Sequence, residues 1–338
     1  MKILLACDKF KGSLDSVGVN TSLAKGLNKS HTNIFTAIHP LADGGDGTLI
    51  VLSQSFNIPF TNQTTIDPLG RSIIAPFLKD GKTAYFELAA ASGISLLKKQ
   101  ERDPLRSTTL GTGRMMRAAV DAGARNLVLG LGGSCTTDAG LGIAYELGIH
   151  FFDKNKKSII PSGGNLLTIE SIDTSQAVEI NSLKILSDVP NPLYGRNGAA
   201  YVFGPQKGAT DKEIELLDQG LHHIAELIEK TTGRAISELM GGGAAGGIAA
   251  GLAGLFDAKI TNGFEFIKKQ TNLEAAVRQA DLVITGEGQL DSTSLDGKVV
   301  SGVATLCQKY QKPLIAVVGG SKLSAMEKKA LNLSLIHI

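Results

Sequence analysis

Short apolar runs recur along this chain, and each breaks off in a turn rich in glycine or aspartate. They are Ile3–Cys7, Ile34–Ile38, Leu127–Leu131, Leu183–Ser187, Ala200–Phe203, Leu282–Thr285 and Leu314–Val318. Unbroken hydrophobicity over so few residues suits strands covered on both faces, as in a parallel sheet. Helix-length amphipathic patterns lie between many of them, including Ser16–Leu27, Gly111–Ala122, Lys212–Glu229 and Lys298–Tyr310. Alternation of this kind predicts α/β architecture.

One stretch breaks the alternation. From Gln63 to Ser92 the pattern is strand-like with no helix between: Thr64–Ile66, Ser72–Leu78 and Thr83–Leu88. Pro68 with Gly70, then Asp80-Gly81, punctuate it as hairpin turns. A mixed sheet is expected here. The chain has 338 residues, long for one core, and no linker separates two continuous halves, so one domain is expected to be inserted in the other.

Composition narrows the function. Lys and Arg number 34 against 32 Asp and Glu, a net charge of +2, which argues against a nucleic-acid surface over the whole protein. Cys7, Cys135 and Cys307 are far apart and in no metal-ligand spacing, and read as reduced thiols. The uncharged stretch Gly241–Phe256 falls short of the ~20 residues that a membrane span needs. A cytoplasmic protein is expected, with no membrane partner. The 40 glycines lie beside apolar runs without period, which marks tight turns and close backbone approaches.

Familiar motifs fail. The nearest GxxxxGK[ST] candidate, around Gly297-Lys298, has Ser292 in place of its first glycine and Val299 in place of Ser/Thr. Gly241, Gly243 and Gly246 spell GxGxxG, but Arg234–Met240 reads as a helix end, not the strand that a dinucleotide fingerprint requires. The elbow at Gly132-Gly133-Ser134 has Thr136 where GxSxG needs glycine. The six histidines form no cluster.

Loops of another kind persist, in which a strand runs into glycines beside carboxylates, hydroxyls or lysines. Freed backbone N–H groups there can cradle phosphate oxygens, carboxylates can carry Mg²⁺, and lysines can neutralise a transferred phosphoryl group. They are Asp8–Ser13, Ala42–Thr48, Leu129–Gly140, Ser187–Leu193 with Phe203–Ala209, and Gly241–Gly247 with Thr285–Asp291 and Gly297-Lys298. Each has a plain structural alternative. Ser13 or Asp15 suits a helix cap, Asp46 or Thr48 another, Lys207 a surface position on a Pro-braced turn, and the Gly/Ala run close helix packing.

In order, DKFKGS, ADGGDGT, LGGSCTTDAG, SDVPNPLYG, FGPQKGA, GGGAAGG and TGEGQLD resemble the glycerate kinase type I family from Lys2 to about Gly319. The resemblance implies transfer of the ATP γ-phosphoryl group to a hydroxyl of D-glycerate with Mg²⁺, and 2-phosphoglycerate ahead of 3-phosphoglycerate as product. The fold it implies has two α/β domains: a three-layer Rossmann/flavodoxin-like core (1–62 plus 268–338) and an inserted mixed-sheet domain (63–267). The chain departs from the family in places. The first motif usually has Ser at the position of Lys9, which sets Lys9 aside as a site residue and keeps Lys11. Cys135 and Thr137 replace the commoner Ala and Asn. Asn332–Ile338 does not resemble the usual continuation beyond Gly319, so a terminal strand or helix is expected to be missing.

The expected catalytic residues are Asp188, as acceptor of the hydroxyl proton, with Asp43 and Lys11. Asp8, Ser13, Gly44, Gly45, Arg106, Asn191 and Lys207 are expected to bind substrate. Gly132, Gly133, Ser134, Thr136, Gly243, Gly246, Gly286 and Gly288 are expected around the nucleotide, and Asp138, Glu287 and Asp291 at the metal. The expected partners are the small substrate and possible homodimerisation, with no nucleic acid. Rival readings are a non-catalytic sensor of a small acid or nucleotide, which does not call for so many carboxylates, and a kinase for a related hydroxy acid.

Overall fold

The structure, a computed structural model, describes residues 1–30, 33–291, 298–324 and 334–337. Gly297 and Ser292 of the rejected phosphate motif lie outside these, as do Asn332, Leu333 and Ile338 of the atypical C-terminus. The chain divides into two compact units, Met1–Asn57 with Asn262–Ile338, and Ile58–Thr261. The expected boundaries at 62/63 and 267/268 lie a few residues from the limits of these units. They would cut the strand Thr61–Ile66 and the helix Gly263–Gln270, whose internal hydrogen bonds keep each within one unit.

In chain order the strands are β1 (Lys2–Cys7), β2 (Phe35–Ile38), β3 (Thr61–Ile66), β4 (Ser72–Asp80), β5 (Thr83–Glu87), β6 (Asn126–Gly130) and β7 (His150–Phe152). They continue as β8 (Ser158–Ile159), β9 (Ser171–Asp173), β10 (Ser182–Leu186), β11 (Lys259–Thr261), β12 (Leu282–Leu290), β13 (Leu314–Ser321) and β14 (Ser334–His337).

The first unit carries an all-parallel sheet in the order β14-β13-β12-β1-β2. β1 is buried from Ile3 onward, as an unbroken apolar run in a central strand requires. Its alternate residues Ile3, Leu5 and Cys7 pack with Phe10, Val19, Ala24, Ile284 and Val317 on one face. From β1 the chain passes through the helix Ser16–Ser30 to β2 on one side, while β12 lies on the other. The strand order therefore reverses between β1 and β12, and ligands in open α/β sheets bind outside the carboxyl ends of strands at such a switch point.

The second unit holds a six-stranded sheet, β11-β10-β6-β5-β4-β3, parallel from β11 to β5 and antiparallel through β4 to β3. The antiparallel part is the expected meander, and its first turn is set by Asp67, whose Oδ1 accepts from Leu69 N–H and Arg71 N–H, each at 2.9 Å. A small antiparallel sheet, β8-β7-β9, accompanies it. The helix Asp211–Thr232 begins with a Thr210/Glu213 capping box and buries Ile214, Leu217, Leu221, Ile224 and Ile228, the helical period that the sequence displays.

Ala200–Phe203, expected as a strand, is instead a short helix, Ala199–Phe203, with Ala199 and Ala200 in the core. A four-residue apolar run does not distinguish the two, and here it packs on the long helix instead of pairing with a strand. Among the described residues, no helix is long and apolar enough to cross a membrane.

Candidate active site

In the first unit the switch point gathers carboxylates. The end of β1 is pinned by Asn20, which is fully buried. Asn20 Oδ1 accepts from Cys7 N–H at 3.0 Å, and its Nδ2 donates to Cys7 O at 3.1 Å and Ser16 O at 2.6 Å. Asp8 follows, its N–H donating to Gly286 O of β12 at 2.9 Å. Its carboxyl is buried, and burial pushes it up to about 7; Lys9 pulls it down, and Asp43 and Glu287 push it up. Lys9 N–H donates to Asp8 Oδ1 at 2.7 Å, and Lys9 Nζ lies 3.8 Å from Asp8 Oδ1 and 3.5 Å from Asp43 Oδ1. Burial works against the Lys9 ammonium, but Asp8, Asp43 and Asp46 outweigh it and hold its pKa above the ordinary value.

Asp43 and Asp46 come from the loop after β2. Gly44 and Gly47, both at φ +89°, give that loop its shape. Gly45 N–H donates to Asp43 Oδ1 at 3.1 Å. A Cβ on Gly263 would stand 2.0 Å from Asp43 O, so the helix Gly263–Gln270 seats the loop through a bare glycine. One oxygen of Asp46 is buried with no hydrogen-bond partner among the described residues.

β12 runs on to Leu290, past the expected end at Thr285, so Glu287 and Gly288 are strand residues and Asp291 follows directly. Gly286 pairs with Cys7 and Val317, and a Cβ there would meet Val317 O at 2.1 Å; its bareness serves strand pairing. Gly288 would bring a Cβ to 3.3 Å from Lys11 N. Lys11 and Ser13 are exposed.

In the second unit, the loop after β6 is built from inside. Lys207 is 2% exposed and its Nζ donates to Thr136 O; burial lowers its pKa to about 8. The surface-lysine alternative for Lys207 is thereby excluded. Ser134 Oγ accepts from Thr136 N–H at 3.2 Å. The glycine-rich stretch packs on the same loop, since a Cβ on Gly246 (φ +77°) would meet Thr136 O at 2.1 Å, and on the segment after β10, since one on Gly243 would meet Pro192 O at 2.2 Å. Arg234–Met240, before it, is irregular rather than a helix end.

Asp138, expected at the metal, is held by hydrogen bonds within the second unit. It is fully buried, its Oδ2 accepts from Thr109 N–H at 2.8 Å and Thr109 Oγ1 at 2.7 Å, and its Oδ1 accepts from Gly140 N–H at 3.2 Å. Burial raises its pKa, and those donors lower it.

Asp188 lies just beyond β10, half-buried, on a cavity of about 660 Å³ also lined by Arg234, Ile236, Leu239, Met240 and Lys259. Asn191 Nδ2 donates to Asn197 O at 2.9 Å. Gly133 and Arg106 are exposed, and Gly132 is half-buried.

Within the first unit the structure thus brings together Asp8, Asp43 and Glu287 from the expected set. Within the second it brings together Ser134, Thr136, Lys207 and Gly246. Sequence reasoning set Lys9 aside, weighed Asp46 as one of the loop's two carboxylates without giving it a role, and missed Asn20. The paired aspartates of the loop signalled Asp46, but nothing in the sequence signalled Asn20.

Among the described residues, no cluster of His, Cys, Asp and Glu could hold a metal ion by itself. Mg²⁺, the expected metal, keeps waters and binds through one or two carboxylates plus substrate phosphates. The buried, unsatisfied oxygen of Asp46 is a hard donor of the right kind.

An α/β enzyme with carboxylates at the carboxyl ends of parallel strands is the class that fold and site define. A profile described as the glycerate kinase family matches residues 3–337. The chain is 39% identical to the glycerate 2-kinase of Escherichia coli K12 and 40% identical to the glycerate kinase of Bacillus subtilis 168, in each case over 94% of this chain and 85% of the relative. A crystal structure from Salmonella typhimurium LT2, named for a candidate glycerate kinase 2, is similar with a TM-score of 0.88 and 37% identity, covering 100% of this chain and 90% of the other. The chain belongs to the glycerate kinase family. It is a kinase, and phosphorylation of glycerate is the activity that membership supports.

Proposed function

We propose that this chain transfers the γ-phosphoryl group of ATP to the 2-hydroxyl of D-glycerate, giving 2-phosphoglycerate and ADP. The observation that carries this reading is the gathering of Asp8, Asp43, Asp46 and Glu287 around the switch point of a parallel sheet. A non-catalytic sensor has no use for so much like charge, which has to be held against its own repulsion.

Phosphoryl transfer asks mainly for positioning and charge stabilisation. Asp188 is the proposed acceptor of the hydroxyl proton, with Asp43 as second candidate. Lys11, Arg106 and Lys207 are candidates for recognising glycerate's carboxylate, and of these Lys207 is committed to Thr136 O, so Lys11 and Arg106 are favoured. Asp46, Glu287 and Asp291 would hold Mg²⁺, which neutralises phosphate charge when bound. The Gly132–Ser134 stretch of the loop after β6 is the proposed phosphate cradle. A cytoplasmic location is proposed from the buried free thiols Cys7, Cys135 and Cys307.

The test is ADP release from purified protein supplied with ATP, Mg²⁺ and D-glycerate, compared with the Asp188→Asn variant. Glycerate-dependent ADP release that falls by orders of magnitude in the folded variant supports the reading. Near-normal turnover in the variant removes Asp188 from this role. ATP or glycerate binding without turnover favours a sensor.

A further inference from the structure

We propose that Lys9 is a positioning residue of this reaction: its ammonium clamps the Asp43 carboxylate of one loop against the Asp8 carboxylate of another. The inference rests on the reading of this carboxylate cluster as part of the active site.

The geometry is specific. Lys9 engages Asp8 Oδ1 twice, through its backbone N–H at 2.7 Å and its Nζ at 3.8 Å. The same Nζ reaches Asp43 Oδ1 at 3.5 Å, on an oxygen that already accepts from Gly45 N–H. The bonds thus fall on Oδ1 of each aspartate. The Lys9 stem runs beside Gly47, whose absent Cβ would lie 3.8 Å from Lys9 Cδ. Lys9 keeps only 22% of its side chain exposed, whereas Lys11, two residues on, is exposed. Its ammonium faces two carboxylates rather than open water.

The need for a clamp follows from charge. Asp8 comes from the end of β1, Asp43 and Asp46 from the loop after β2, and Glu287 from β12. Like charges brought this close repel; Asp8 and Glu287 are held by β1 and β12, so the repulsion falls on the loop that carries Asp43 and Asp46. Among the described residues, no other ion pair reaches Asp8 or Asp43. A metal bound with the nucleotide would supply a cation only for part of the cycle, and Lys9 supplies one throughout. Reacting groups displaced by even an ångström lose turnover more than substrate affinity.

The test is steady-state kinetics of Lys9→Met, Lys9→Ser, Lys9→Arg and Asp43→Asn, with each variant's melting temperature measured alongside. Loss of the clamp is expected to lower kcat in Lys9→Met and Lys9→Ser by about 10- to 100-fold with KM for ATP unchanged. Lys9→Arg, which keeps the cation, is expected to recover most of kcat. Two variants of different size guard against a local effect of either side chain. Full kcat in Lys9→Met and Lys9→Ser, with Asp43→Asn impaired, overturns the clamp and leaves the active-site reading standing. Full kcat in Asp43→Asn as well overturns the reading of the cluster, and the clamp with it. A lower melting temperature with normal kcat reduces Lys9 to a brace of the loop and also overturns the proposal.

Discussion

Asp8 makes the charge cost of this site measurable. Its carboxyl is buried and pushed from an ordinary 3.8 up to about 7, burial being the largest cause. Between those pH values the folded chain keeps a proton that the unfolded chain has released. Stability must therefore fall as pH rises through this window, the opposite of a salt-bridged aspartate. The full gap corresponds to about 4 kcal/mol, since each pKa unit is about 1.4 kcal/mol. Asn in place of Asp8 has a similar shape and does not titrate, so the variant should lack the penalty. Urea unfolding of parent and Asp8→Asn at pH 5 and pH 8 reads this directly. The variant's advantage should grow by about 2.5 kcal/mol from the lower pH to the higher, even as its activity falls. An advantage that does not change with pH, or that shrinks, refutes the burial of an ionisable carboxyl at the end of β1.

Further predictions concern the frame around the site. Gly251→Ala would put a Cβ 1.8 Å from Ala139 O and should cost about 3 kcal/mol in thermal or urea unfolding. Gly12→Ala, at φ +81° with open space around it, should cost only about 1 kcal/mol from backbone strain. Asp138→Ala strands the buried N–H groups of Thr109 and Gly140 and the Thr109 hydroxyl, and should cost about 3 kcal/mol or more. Asp138→Asn should recover part of that stability, because its one carbonyl oxygen still accepts the Thr109 bonds.

Much of the fold could be read from the sequence because it is written in local patterns. β1 announces itself by unbroken apolar residues ending at Asp8, and the meander by Pro68, Gly70 and Asp80-Gly81. The long helix shows its period from Ile214 to Ile228. Ala200–Phe203 misled because four apolar residues carry no period. The site was legible in part. Asp8 and Asp43 stand where chain order alone puts ligand-binding groups, just past strand ends. Lys9 was set aside because the resembling family's motif usually has Ser there, and its ion pair with Asp43, on another loop, is one that no local pattern reveals. Lys207 illustrates the same limit: Gly-Pro-Gln-Lys-Gly has the composition of a surface turn, and only tertiary packing buries its ammonium against Thr136 O. Asp138 has the residue type of a metal ligand, and the hydrogen bonds that hold it to Thr109 and Gly140 come from tertiary packing that the sequence does not display.

The central claim is that this chain phosphorylates glycerate, and phosphorus NMR of the reaction mixture tests it most directly. With ATP, Mg²⁺ and D-glycerate, the account predicts ADP signals and one new phosphomonoester, at the position of 2-phosphoglycerate. A spectrum in which ATP persists, or in which ADP and inorganic phosphate form with no phosphomonoester, contradicts it.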